Sequence, residues 1–318
     1  MGSMSATPRF QPRRPLGRTG RIVTAIGQGD VADRAIPKER CVSVVRRALD
    51  AGINVVDTAP MYEDGYSEEI VGEALRGRRD GVLLVDKVDH LDAPVAPQLD
   101  QSLERLGTSW VDLVLFHAVP DLDAWRRLTA PDGGFAQLGA EIASGRARFR
   151  GISSHHADVL AAAVESGLCD AIMFPIGPIG DPRYTAEILP RARSRGVGTL
   201  GMKVFAGGKL LGDTEGYQRP LASRPRGKLS SGGADESEPT LPRLPVRDCV
   251  RYALTMDPDV TLLGLSFENE QDAAFRAAAD APPMSDGEVD ALHARAVEAA
   301  RGKGRVWWDP AGAVDLDR

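Results

Sequence analysis

Four residues closing three apolar runs carry the chemistry that this sequence offers. The run INVVD stops at Asp57 and Tyr62 follows five residues later, VLLVDK ends on Lys87, and DLVLFH ends on His117. A buried lysine without a partner is costly, so a carboxylate and a phenol beside it would satisfy it, while its charge would favour phenolate. Such a set makes a tyrosine a usable proton donor to a carbonyl oxygen, and its phenolate the matching base for an alcohol. Each residue alone has a plainer reading: Asp57 as a helix cap, Tyr62 as packing, Lys87 as a solvated strand end, His117 as a satisfied core group. Those readings leave unexplained why all four fall at, or just beyond, the ends of successive strand-like runs.

The elements that would position them alternate short apolar runs with longer amphipathic ones, the pattern of βα units around a parallel sheet. Strand candidates are Val23–Gly27, Ile53–Asp57, Val82–Lys87, Asp112–His117, Phe149–Ser153, Ala171–Phe174, Gly198–Met202 and Val260–Gly264. Eight strands predict a closed (β/α)8 TIM barrel, whose sites lie at the C-terminal strand ends, where adjacent strands would converge the four residues. The stretches between, among them KERCVSVVRRALDAG, SEEIVGEALRG and HADVLAAAVESG, have helical spacing and finish on a glycine suited to a C-cap. Residues 213–245 are rich in Gly, Ser, Pro and mixed charge, which predicts a long loop insertion after the seventh strand. Residues 1–13 are expected to be a disordered N-terminus whose MGSM start looks like a cloning scar, leaving 14–318 as one domain.

Composition agrees with a globular enzyme. A chain of 318 residues buries a large core, and barrels of about 250 residues are ordinary single domains. A net charge of −6 argues against a nucleic-acid surface, which needs concentrated Lys and Arg. No run approaches the roughly 20 apolar residues of a membrane helix, and no signal-peptide pattern is present, so a cytoplasmic location is expected. Cys41, Cys169 and Cys249 are odd in number and widely spaced, and read as buried thiols rather than as a disulfide framework or metal site.

Taken together, the fragments resemble the aldo-keto reductase family. The stretch DTAPMYEDGYSEEIVGEAL, Asp57 to Leu75, is similar to the family's Asp-Thr-Ala, Tyr, Gly-x-Ser-Glu and Gly-x-Ala-Leu hallmark. PLGRTGRIVTAIGQG resembles its opening hairpin and first strand, SLERLGTSWVDLVLFH its fourth strand with the preceding helix, RFRGISS its fifth, and GVGTLGMKVFAGGKL its seventh. The resemblance, over residues 14–280, implies an N-terminal hairpin cap on the barrel and a hydride passing between nicotinamide and a carbonyl carbon. Tyr62 would donate the proton, Lys87 held by Asp57 would lower the phenol pKa, and His117 would orient the carbonyl as a neutral hydrogen-bond donor.

The same resemblance assigns a cofactor site to Gly29, Asp30 and Asp57, to Ser153 and Ser154 at the family's Ser-Asn pair, and to Met173 where a Gln is usual. Met202 stands at the position of a residue that stacks on nicotinamide, and Lys203, Val204, Phe205, Ala206 and Gly207 would run along the pyrophosphate. At the eighth strand Gly264, Ser266 and Glu270 occupy the family's 2′-phosphate positions without its basic residues. An acid there would accept from a 2′-hydroxyl and repel a phosphate. Lys203 or an arginine of the insertion could supply the missing charge, so NADP(H) is expected, with NAD(H) a close alternative. The substrate, a small carbonyl or alcohol compound, is expected against Val31, Tyr62, His117 and Trp125, with Trp307 and Trp308 at the tail. His155 and His156 read as loop polar groups. The chain is expected to be a monomer or homo-oligomer. Two rival readings remain: a barrel lyase or isomerase using Tyr62 and Lys87 for proton abstraction, and a cofactor-binding regulatory subunit with little catalysis.

Overall fold

The computed structural model describes residues 9–34, 36–211, 243–264, 268–280 and 282–301. An antiparallel hairpin of β1 (Arg14–Pro15) and β2 (Ile22–Val23) comes first. Eight parallel strands follow: β3 (Ile26–Gln28), β4 (Val55–Asp57), β5 (Leu83–Val88), β6 (Val111–Phe116), β7 (Ala147–Ser153), β8 (Ala171–Pro175), β9 (Gly198–Met202) and β10 (Val260–Leu263). They pair in sequence order, and β10 returns to β3 in the register Thr261 with Ile26, closing the barrel. The expected (β/α)8 architecture is therefore the observed one.

The helices are α1 (Lys38–Asp50), α2 (Tyr66–Leu75), α3 (Val95–Leu106), α4 (Leu122–Leu128), α5 (Gly134–Ala143), α6 (Ala157–Ser166), α7 (Leu189–Ser194), α8 (Val246–Met256), α9 (Glu268–Asp280) and α10 (Asp286–Ala300). Local chemistry fixes several starts. The Asp121 carboxylate accepts from the Ala124 N–H at 2.7 Å to cap α4, and Ser285 with Glu288 forms a capping box on α10. α3 and α6 stop on left-handed glycines, Gly107 and Gly167.

Strand alternation divides the apolar residues into two cores. Val55, Leu83, Val85, Leu113, Leu115, Met173 and Leu200 fill the barrel interior, together with Leu16 from the hairpin. Val56, Leu84, Val114 and Ile152 face outward and pack with the helices. Because side chains alternate with period two, Asp57 continues the inward row of Val55, Lys87 that of Leu83 and Val85, and His117 that of Leu113 and Leu115.

Two expectations about the chain change, and a third lies largely outside the described residues. The run Val23–Gly27 divides into the hairpin strand and β3, because the Asn54 side chain accepts the Thr24 N–H at 2.9 Å and Thr24 Oγ donates to the Ile26 carbonyl at 2.7 Å. Of the N-terminus expected to be disordered, residues 9–13 are held: the Phe10 N–H donates to Ala51 at 2.8 Å and its ring meets Phe275 edge-on. The insertion expected at 213–245 lies outside the described residues as far as position 242. Cys41, Cys169 and Cys249 are free and buried. No described helix is long and apolar enough to cross a membrane.

Candidate active site

The four residues meet at the C-terminal mouth of the barrel. Lys87 Nζ donates to Asp57 Oδ1 at 2.7 Å and to the Thr58 carbonyl at 2.6 Å, with both side chains buried. The same ammonium lies 4.7 Å from the centre of the Tyr62 ring. Tyr62 in turn meets His117 edge-on, ring centres 5.6 Å apart. Burial disfavours the Lys87 ammonium, but Asp57 and Tyr62 more than offset it, so Lys87 sits above the ordinary lysine range. Burial pushes Asp57 up while Lys87, then Lys203, pull it down. The short contact and the second acceptor on Thr58 favour the ionised pair.

Tyr62 departs from the expectation of a lowered phenol. Burial pushes it above the ordinary tyrosine range, and the Lys87 charge, which pulls it down, does not overcome that. The phenol is thus a stable proton reservoir at neutral pH, and the ammonium over its ring stabilises the phenolate left once the proton is given up.

One partner went unrecognised in the sequence. Asp89, two residues beyond Lys87 on the same inward row, contacts His117 Nδ1 through Oδ1 and accepts the Met61 N–H through Oδ2 at 2.5 Å. Burial would raise Asp89, but its hydrogen bond and charge attraction with His117 hold it below the ordinary carboxylate range. The period-two spacing of Lys87 and Asp89 was the available signal. His155 also belongs to this cluster: burial pushes its imidazole well down, aided by the charge of Lys203 and by His117.

The residues expected at the cofactor divide. Gly29 and Gly264 meet where β3 and β10 close the barrel; a Cβ on Gly29 would lie 3.1 Å from the Gly264 amide nitrogen, and one on Gly264 3.0 Å from the Asp30 carbonyl. Asp30 accepts from Ser67 Oγ at 2.8 Å and from the Ala32 N–H at 3.0 Å. Burial pushes its carboxyl up to about 6 despite those bonds. Lys203, Ala206, Gly207 and Gly208 all adopt positive φ, which turns successive backbone units into the concave form that receives anions. Val204, Phe205 and Ala206 are buried and anchor this loop, while Met202, Lys203 and Gly207 remain half-buried. Ser266 lies outside the described residues, and Glu270 falls in the first turn of α9. Arg40 pairs with Glu268, and Arg47 with Asp272, beside that turn.

Four further residues expected at the cofactor or substrate have the following surroundings. Ser154 Oγ donates to the Val119 carbonyl at 2.7 Å and accepts the His156 N–H at 3.1 Å, so its hydroxyl braces two loops. Met173 is packed in the barrel interior. Val31 is buried in the outer core. Trp125 packs edge-on against Phe135 at 5.4 Å, which spends its ring on α4 and α5. Ser153 stays at the mouth, its Oγ accepting the Ala118 N–H at 2.8 Å. A cleft of about 530 Å³ opens beside Asp89, lined by His90, Asp92, Pro120 and Arg127.

Comparison with known proteins agrees with the fold. A family model described as the Aldo/keto reductase family matches residues 24–293. Methylglyoxal reductase YeaE of Escherichia coli is 35% identical over 135 residues, 41% of this chain and 45% of that protein. The NADH-specific methylglyoxal reductase of the same organism is 28% identical over 206 residues, 57% of this chain and 61% of that protein. An aldo-keto reductase of Klebsiella pneumoniae solved in complex with NADPH superimposes with a TM-score of 0.63 at 23% identity, over 87% of this chain and 92% of that one, a likeness of fold. The chain spans about half the length of the curated relatives it matches.

Proposed function

The chain belongs to the aldo/keto reductase family, and on that premise we propose that it is an NAD(P)(H)-dependent oxidoreductase that reduces an aldehyde or ketone, or oxidises the matching alcohol. The observation that carries this reading is Lys87 Nζ, 2.7 Å from Asp57 and 4.7 Å from the Tyr62 ring centre. A lyase or isomerase needs a base, whereas a phenol kept protonated beside a fixed ammonium suits an acid that delivers its proton to an oxygen acquiring negative charge.

The residues present fit a nicotinamide dinucleotide along the rim from β9 to β3. The left-handed turn of Lys203 to Gly208 and the close approach of Gly29 and Gly264 would admit the phosphates and ribose, with Met202 and Ser153 nearest the nicotinamide end. The cofactor, when bound, supplies the hydride. Tyr62 gives its proton to the carbonyl oxygen, Lys87 stabilises the resulting phenolate, Asp57 and the Thr58 carbonyl hold that ammonium, and His117 binds the same oxygen. In oxidation the phenolate takes the alcohol proton. NADP(H) is the favoured cofactor, with NAD(H) close behind, since relatives bear both names. Two relatives named as methylglyoxal reductases support short polar carbonyl compounds as first substrates to test.

The experiment is a fluorescence titration with NADPH and NADH, followed by nicotinamide absorbance on adding methylglyoxal and other short aldehydes. Saturable binding with aldehyde-dependent oxidation supports the proposal. Saturable binding with no turnover across the aldehydes would favour a regulatory subunit instead.

A further inference from the structure

His117 is flanked by Asp89 just after β5, Lys87 within β5, Tyr62 after β4 and His155 after β7. Asp89 holds its Nδ1. Both oxygens of Asp89 are committed: Oδ1 to His117 Nδ1 and Oδ2 to the Met61 N–H. The carboxylate is an acceptor only, and it is ionised beside the Lys87 charge, with Asp86 the other acid that senses it. Nδ1 must therefore carry a proton.

That requirement has a chemical consequence at the other nitrogen. A neutral imidazole protonated on Nδ1 presents a bare lone pair at Nε2, which cannot donate to a carbonyl oxygen. Only the doubly protonated ring satisfies Asp89 and donates from Nε2 at once. Resting on the carbonyl-reducing reading above, we propose that Asp89 is a positioning residue that makes His117 a cationic hydrogen-bond donor to the carbonyl oxygen in reduction. The expected neutral donor is replaced by a charged one whose field also favours the developing alkoxide. No electron or atom is transferred to the pair: the reacting proton still comes from Tyr62.

The direct test is nitrogen NMR on protein labelled in its five histidines, with His117→Asn identifying the His117 signals. At pH 7 both ring nitrogens of His117 should be protonated, and the neutral form reached on the alkaline side should keep its proton on Nδ1. A ring that is neutral at pH 7 with its proton on Nε2 overturns the proposal. This readout needs no turnover, so it stands apart from the cofactor titration that tests the reductase reading.

Kinetics give a second, independent arm. In the parent, kcat/KM for reduction should fall on the alkaline side as His117 loses its second proton. Asp89→Asn removes the charge that holds this proton, so the fall should begin at least about one pH unit lower, or vanish where the amide nitrogen donates to Nδ1 and leaves a neutral Nε2–H donor. Its dissociation constant for NADPH should stay within about twofold of the parent's, because Asp89 lies on the substrate side. An alkaline limb at the parent's pH in Asp89→Asn contradicts the proposal. Should that variant fail to fold, the NMR measurement on the parent decides alone.

Discussion

The Lys87 ammonium sits 4.7 Å from the centre of the Tyr62 ring, close enough to act on the phenol, while Asp57 and the Thr58 carbonyl hold it by hydrogen bonds. The lysine is therefore fixed by two acceptors besides the tyrosine, and its field is in place before any proton moves. Electrostatic preorganisation of this kind lowers a barrier without reorganisation at the moment of reaction.

Lys87→Met should remove both that field and the partner of buried Asp57. Breaking one side of a buried pair costs about 3–5 kcal/mol, and turnover should drop by roughly 10²–10⁴-fold. Adding Asp57→Asn should restore most of the lost stability, because no buried charge is then left alone, and should restore none of the turnover. Denaturant midpoints beside steady-state rates read the two effects separately. Recovery of activity in the double variant would show that Lys87 acts only as packing.

Asp86 lies between Val85 and Lys87 of the inward row and so faces outward, toward Glu68 of α2. Burial first, then the Glu68 charge, push its carboxyl well above the ordinary range. An unfolded aspartate ionises near about 3.9. Because the folded group holds its proton to higher pH, stability is greatest below that value and declines as pH rises toward the folded titration, by up to ~1.4 kcal/mol per unit. Asp86→Asn removes the penalty, so its gain in Tm should be larger at pH 8 than at pH 5, at roughly 2–4 °C per kcal/mol. Equal gains at both pH values would mean that Asp86 is not held protonated.

Much of this architecture was legible in the sequence, for a physical reason. Strand runs such as Leu83–Val85 and Leu113–Phe116 are buried on both faces and so stand out as continuous apolar stretches, and Asp57, Lys87 and His117 fall at the ends of such stretches. Side chains whose role depends on which neighbour they meet were not legible. Trp125 and Val31 could face a pocket or a core with the same local spacing; in the fold Trp125 packs on Phe135 and Val31 is buried in the outer core. Asp89 was hidden because it continues an inward row past the strand end, where a loop acid usually reads as solvated. Likewise nothing in the run ENEQDAA announces that Arg40 and Arg47, more than two hundred residues away, pair with Glu268 and Asp272 of α9.

Cofactor preference should respond at the start of α9. Glu270→Arg replaces an acid by a fork that pairs with phosphate, in the first turn of a helix where anions are favoured. A charged hydrogen bond to phosphate contributes about 1.5–3 kcal/mol, so NADPH should gain on NADH by roughly tenfold or more at low salt, and less as salt is added. A ratio of dissociation constants within about twofold of the parent's would place Glu270 away from the adenosine ribose.

Central to the whole account is Tyr62 as the proton donor, and Tyr62→Phe tests it most directly. The substitution removes one hydroxyl and leaves the ring that packs on His117 and under the Lys87 ammonium. Aldehyde-dependent oxidation of NADPH, followed by nicotinamide absorbance at saturating cofactor, should fall by about 10²–10⁴-fold, while the fluorescence titration returns an NADPH dissociation constant close to the parent's. A variant that keeps most of the parent's turnover would contradict the account.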